Sequence, residues 1–121
     1  MCLSGMGFTG SDIGGFAEQP NGELFVRWIQ LGVFHPFCRT HSSGDHGEQE
    51  PWTFGDEITG IVKKYIELRY QLLPYLYTTF WQYASSGTPM LRPLAFLDGK
   101  DPNLIHRTNE FLCGDHVRSN W

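Results

Sequence analysis

Gly10-Ser11-Asp12-Ile13-Gly14-Gly15-Phe16 is the stretch on which the reading of the fold turns. An acidic residue follows a short apolar run and opens into paired glycines, the pattern of a buried strand that gives way to a tight turn. Just upstream, Gly5-Met6-Gly7-Phe8-Thr9-Gly10 satisfies G-x-G-x-x-G literally. A dinucleotide site needs a helix to open there, with its positive end toward the pyrophosphate. Ser11, Asp12, Gly14 and Gly15 start a helix poorly, and the Asp12 carboxylate would repel phosphate. The match is a decoy.

Working outward, Met1 to Phe8 reads as a buried strand and Thr9 to Gln19 as a glycine-rich loop. Asn21 offers an N-cap, and Leu24, Phe25, Trp28 and Leu31 then recur at helical spacing up to a stop at Gly32. Val33 to Cys38 is strand-like despite Pro36, and Arg39 to Pro51 reads as a long polar loop. Thr53 and Asp56 have capping-box spacing. They precede one apolar stripe through Ile58, Ile61, Val62, Tyr65, Leu68, Leu72, Leu76 and Phe80. Lys63 and Glu67 are four apart on its wet face, Pro74 predicts a kink, and Ser85-Ser86-Gly87 ends the helix. Met90 to Phe96 and Glu110 to Cys113 read as further strands. Strands alternating with helices predict an α/β parallel sheet or barrel, and the later strands a second, β-rich unit, with a boundary near Gly87.

Composition narrows the partners. The chain has 121 residues and a formal net charge of −4, with no clustered Lys and Arg, so nucleic acid is not expected. No apolar stretch approaches the ~18 residues that span a bilayer, so no membrane partner is expected. Met1 to Gly10 lacks the pattern of a signal peptide, which carries no information on compartment if the chain is an internal piece. Cys2, Cys38 and Cys113 are odd in number and widely spaced, so free thiols are expected. Aromatic residues make up 15%, and the tyrosines and tryptophan of the long helix (Tyr65, Tyr70, Tyr75, Tyr77, Trp81) read as core packing plus surface rings.

Two clusters could carry chemistry. His35, Cys38, His41 and His46, with acids nearby, are types that suit zinc, but their spacing matches no regular ligand clip. Asp12 and His41 each follow an apolar run and open a loop, the positions that in a parallel barrel lie at the C-terminal strand ends where active sites are built. A carboxylate accepts from sugar hydroxyls, His or Arg donates, and rings cover the C–H faces of the sugar. Asp12, Arg39, His41, Phe16 and Trp52 supply those types. Spacing alone leaves equally open that Asp12 and His41 merely brace loops.

Several ordered segments resemble glycoside hydrolase family 31. Gly10 to Phe16 is similar to its G-x-D-I-x-G-F segment, and Leu31 to His41 to its Q-L-G-x-F-x-P-x-x-R-x-H stretch. Glu50-Pro51-Trp52-Thr53-Phe54-Gly55, Leu68 to Tyr75 and Met90-Leu91-Arg92-Pro93-Leu94 match E-P-W-x-F-G, L-R-Y-x-L-L-P-Y and M-x-R-P-L. The resemblance implies the terminal βα units of a (β/α)8 TIM barrel over residues 1–87, followed by the first strands of a β-sandwich domain over 88–121. It implies a retaining hydrolase of α-glucosides or related oligosaccharides, without cofactor or metal. Asp12, Phe16 and His41 would line the pocket of the non-reducing-end sugar, and Arg39 joins them by proximity. The family's nucleophile and acid/base segments are absent, which places both upstream of Met1 and predicts an isolated chain that is inactive and prone to self-association. Val117 to Trp121 departs from the apolar strand with which the family continues, which implies a truncation, a frameshift or an engineered end. The alternative is a non-catalytic carbohydrate-binding or structural module.

Overall fold

The computed structural model describes residues 4–44 and 47–120, with the side chain of Asn120 left aside. The described residues fall into two compact units. The first covers Gly10–Leu73, and the second runs up to Thr9 and from Pro74 onward.

In the first unit, strand β1 (Asp12–Ile13) pairs in parallel with β2 (Arg39–Thr40), in the register Asp12 with Arg39 and Ile13 with Thr40. Between them runs helix α1 (Gly22–Gly32). Asn21 caps it as its spacing predicts, the side chain accepting from the Leu24 amide at 2.8 Å. Helix α1 buries Phe25, Val26 and Ile29 against Ile13, Val33 and Val62, and Trp28, Phe54, Ile58 and Tyr65 pack around that cluster. At Gly10, just before β1, a side chain would overlap the backbone carbonyl of Phe37, so the close approach of the two segments leaves room for hydrogen alone.

Two expected strands are corrected. Val33 to Cys38 forms turns, because the Arg69 guanidinium donates to the carbonyls of Val33 (2.8 Å), His35 and Pro36 (3.0 Å). Those acceptors are then not offered to a neighbouring strand, and pairing begins only at Arg39. Upstream, residues 4–8 are likewise not extended into a strand. The Tyr83 hydroxyl donates to the Gly5 carbonyl at 3.2 Å instead. Met1 to Leu3 lie outside the described residues.

Helix α2 (Asp56–Ser86) is continuous through Pro74. It does not begin with the expected capping box. Thr53 lies in a 3₁₀ turn (Pro51–Phe54), and Gly55 separates that turn from Asp56. The Thr59 hydroxyl ties turn and helix together, reaching the Gly55 carbonyl at 2.9 Å and that of Pro51 at 3.1 Å. On the apolar stripe, Val62 and Leu76 are buried, whereas Phe80 remains 39% exposed.

The second unit contains an antiparallel sheet in the order β3 (Leu91–Pro93), β4 (Glu110–Cys113), β5 (Val117–Asn120), with a one-turn helix α3 (Pro102–Ile105) before β4. Strand β3 is shorter than expected: after Pro93, which has no N–H to pair, Leu94–Phe96 winds into a 3₁₀ turn. Strand β5 is extended although its sequence departs from an apolar strand. Its polar residues are accommodated because Arg118 pairs with Glu110 on β4. Leu76, Thr79, Met90, Leu94, Leu112 and Cys113 are buried here. Arg92, 6% exposed, is satisfied by the Pro89 carbonyl at 2.7 Å and by an ion pair with Asp115. No helix among the described residues is long and apolar enough to cross a membrane.

Candidate active site

The pairing of β1 with β2 sets Asp12 directly opposite Arg39. Arg39 Nε donates to Asp12 Oδ1 at 2.8 Å, and the guanidinium also lies 4.9 Å from the centre of the Phe37 ring. The Asp12 side chain is 22% exposed and that of Arg39 48%, so the pair is partly open to solvent rather than enclosed. A planar guanidinium against a carboxylate fixes the orientation of both, and the contact engages Oδ1 of Asp12.

Beyond β1 the chain turns sharply. Gly14 and Gly15 have φ of 89° and 90°, a conformation that side chains strongly disfavour. The Gly15 amide returns to the Asp12 carbonyl at 3.0 Å. The turn delivers Phe16 to the loop that follows β2, where its ring meets that of His41 at 5.5 Å between centroids, tilted by 44°. The Phe16 carbonyl accepts from the Ser43 amide at 3.0 Å. Asp12 with Arg39 and Phe16 with His41 are thus two adjoining pairs, each joining one strand's end to its neighbour's.

His41 lines a polar cavity of about 280 Å³ with Thr40, Ser42, Glu48, Gln49 and Glu50. Asp12 and Phe16 are not among its walls. A second, largely apolar cavity of about 450 Å³ is lined by Ile13, Phe25, Val33, Val62, Arg69 and Leu73 among others. Trp52 belongs to the 3₁₀ turn and is 68% exposed.

The zinc cluster does not assemble among the described residues, where no three groups of ligand type gather. His35 and Cys38 are drawn inward beside Arg69. Burial lowers the His35 pKa, with the Arg69 charge adding to that effect. Burial raises that of Cys38 against the pull of the same guanidinium. His46 lies outside the described residues.

The sequence reading overlooked Gln49. It is 7% exposed, and its Nε2 donates to the Gly15 carbonyl at 3.2 Å. Gln19 and Trp28 were also overlooked as polar braces, donating to the Glu48 carbonyl at 3.0 Å and to Ser11 Oγ at 2.9 Å. All three look in sequence like ordinary loop or helix residues, because their partners lie 17 to 34 positions away.

A parallel strand pair linked by a helix, with carboxylate, guanidinium, imidazole and ring gathered where the strands end, defines a piece of TIM-barrel-related α/β architecture. Residues 1–79 match the model of the glycosyl hydrolases family 31 TIM-barrel domain. The chain belongs to glycosyl hydrolase family 31. Among its relatives is alpha-glucosidase 2 of Bacillus thermoamyloliquefaciens, 49% identical over 95% of this chain and 15% of that protein. Neutral alpha-glucosidase AB of Dictyostelium discoideum is 43% identical over 97% of this chain and 12% of its own. The crystal structure of a family 31 alpha-glucosidase from Bacteroides thetaiotaomicron superposes with a TM-score of 0.91 at 40% identity, covering 97% of this chain and 20% of that one. A Flavobacterium johnsoniae family 31 dextranase complexed with glucose gives 0.88 at 34% identity, covering 98% and 15%. The chain therefore spans between 12% and 15% of the length of these two alpha-glucosidase relatives.

Proposed function

We propose that these 121 residues are part of a retaining α-glucosidase-type glycoside hydrolase, and that Asp12, Arg39, Phe16 and His41 hold the non-reducing-end sugar of an α-glucoside or oligosaccharide. The observation that carries this is the 2.8 Å pairing of Asp12 with Arg39 across the parallel strand pair, next to the Phe16–His41 ring contact. Arg39 holds one carboxylate oxygen, so the other can accept from a sugar hydroxyl. The Phe16 ring is half-exposed and offers an apolar face to the C–H side of a pyranose. Family membership and the alpha-glucosidase names of the relatives support the substrate class.

Retaining hydrolysis requires two carboxyl groups about 5 Å apart, one attacking the anomeric carbon and one protonating the departing oxygen. Asp12 is engaged by Arg39, and one carboxylate cannot fill both roles, so it serves as a holding group. Nucleophile and acid/base come from other segments of the barrel. In the same reading, residues 1–87 are the terminal βα units of the (β/α)8 barrel. Residues 88–121 open a β-sandwich, an assignment supported by the antiparallel order of β3, β4 and β5.

Purified alone, the chain is expected to release no nitrophenol from p-nitrophenyl α-D-glucoside. Methyl α-D-glucopyranoside should shift the NMR signals of Phe16 and His41 saturably, and Asp12→Asn should weaken that binding about tenfold, as loss of a charged acceptor does. Turnover by the chain alone, or binding indifferent to Asp12, would sink the proposal.

A further inference from the structure

Gln49 is a buried polar side chain in a segment of otherwise exposed residues. Its Nε2 donates to the Gly15 carbonyl, while its Oε1 is enclosed and makes no hydrogen bond among the described residues. Enclosing an amide oxygen without a donor costs about 1–3 kcal/mol. An apolar residue of similar length would avoid that cost if packing were the only task. What the amide supplies is the N–H to Gly15, the second of two consecutive residues with φ near 90°. A carbonyl in such a turn has no strand or helix partner. Without a donor the turn could relax and carry Phe16 with it.

The surroundings point the same way. A side chain at Gly14 would stand 3.3 Å from Gln49 Oε1 and 3.1 Å from Phe25, so the carboxamide is wedged against the turn. One residue on, the Phe16 carbonyl is held by the Ser43 amide, and the Glu48 carbonyl by Gln19. These bonds lace the loop after β1 to the loop after β2 on either side of the Phe16–His41 contact.

We propose that Gln49 is a positioning residue, whose amide N–H fixes the Gly14–Gly15 turn and so sets the Phe16 ring against His41 for sugar contact. This rests on the reading of Phe16 and His41 as sugar-holding residues. It is tested separately from that reading by following geometry and binding in the same samples of the whole chain. Gln49→Met keeps the length and removes the N–H. Gln49→Glu keeps shape and acceptor and also removes it. Gln49→Lys returns an N–H donor.

In the unsubstituted chain, ring-to-ring cross-peaks between Phe16 and His41 are expected in NMR spectra. Gln49→Met and Gln49→Glu should lose them and bind methyl α-D-glucopyranoside about tenfold more weakly. Signals of Leu76, Met90 and Leu112 should stay in place, and Gln49→Lys should recover the cross-peaks. Their absence from the unsubstituted chain, or persistence in both donor-less variants, overturns the proposal. So does collapse of all signals in both variants, which would make Gln49 a core residue only. Cross-peaks lost with glucoside affinity unchanged overturn it as well. Cross-peaks that respond as expected in a chain that binds no glucoside uphold Gln49 as the turn's anchor and remove the sugar reading alone.

Discussion

His35 shows how a single side chain records its surroundings. Burial disfavours the imidazolium, and the nearby Arg69 cation disfavours it further, so its pKa lies below the ordinary 6.5. The unfolded chain therefore takes up the proton first as the pH falls. Stability from this residue is complete above 6.5 and declines below it, down to the lowered native pKa. Denaturation midpoints at pH 7.5 and 5.5 should differ more for the native sequence than for His35→Asn, and equal differences would contradict this. Residue-level legibility was uneven. The approach of Phe16 to His41 has a local source, since the paired glycines before Phe16 announce a sharp turn. Gln49 has none, because a glutamine in a polar loop has no periodicity and its partner, Gly15, is 34 positions distant.

Elements follow the same division. Helix α1 is written locally, with Asn21 before it, apolar residues at three- and four-residue spacing within it, and Gly32 at its end. Asn21→Ala should lower stability by about 1 kcal/mol, the usual worth of such a cap, visible as a lower thermal midpoint. An unchanged midpoint would mean that the cap bond to the Leu24 amide is not formed in solution. The strands were harder to read. Strands β1 and β2 have two residues each, too few to display alternation. The apolar run from Val33 to Cys38 suggested extension, but the decisive influence on it is Arg69, more than thirty residues further along. Similarly, Val117–Asn120 lacks an apolar run, and what marks it as a strand is its pairing with β4, where Arg118 meets Glu110.

Over the whole molecule, α2 presents Tyr70, Tyr77 and Trp81 at 69%, 75% and 63% exposure, with Leu73 at 43%. Rings left this open on one helix favour association. The sedimenting mass of the chain should rise with concentration, and Tyr70→Lys with Tyr77→Lys should suppress the rise. A monomer at every concentration would refute it. The architecture at this scale was legible as a class, since alternating helices and strands with ordered family segments indicate a barrel piece. The split of contacts within α2 was not, because nothing in the pattern around Pro74 marks where one cluster stops. That split has a practical corollary. Val62 is buried in the first unit while Leu76 and Thr79 are buried in the second, and all three belong to α2. No cut in a loop can hand each half a complete interior. Anyone dividing the polypeptide into two expressible pieces would have to give both of them a copy of that helix.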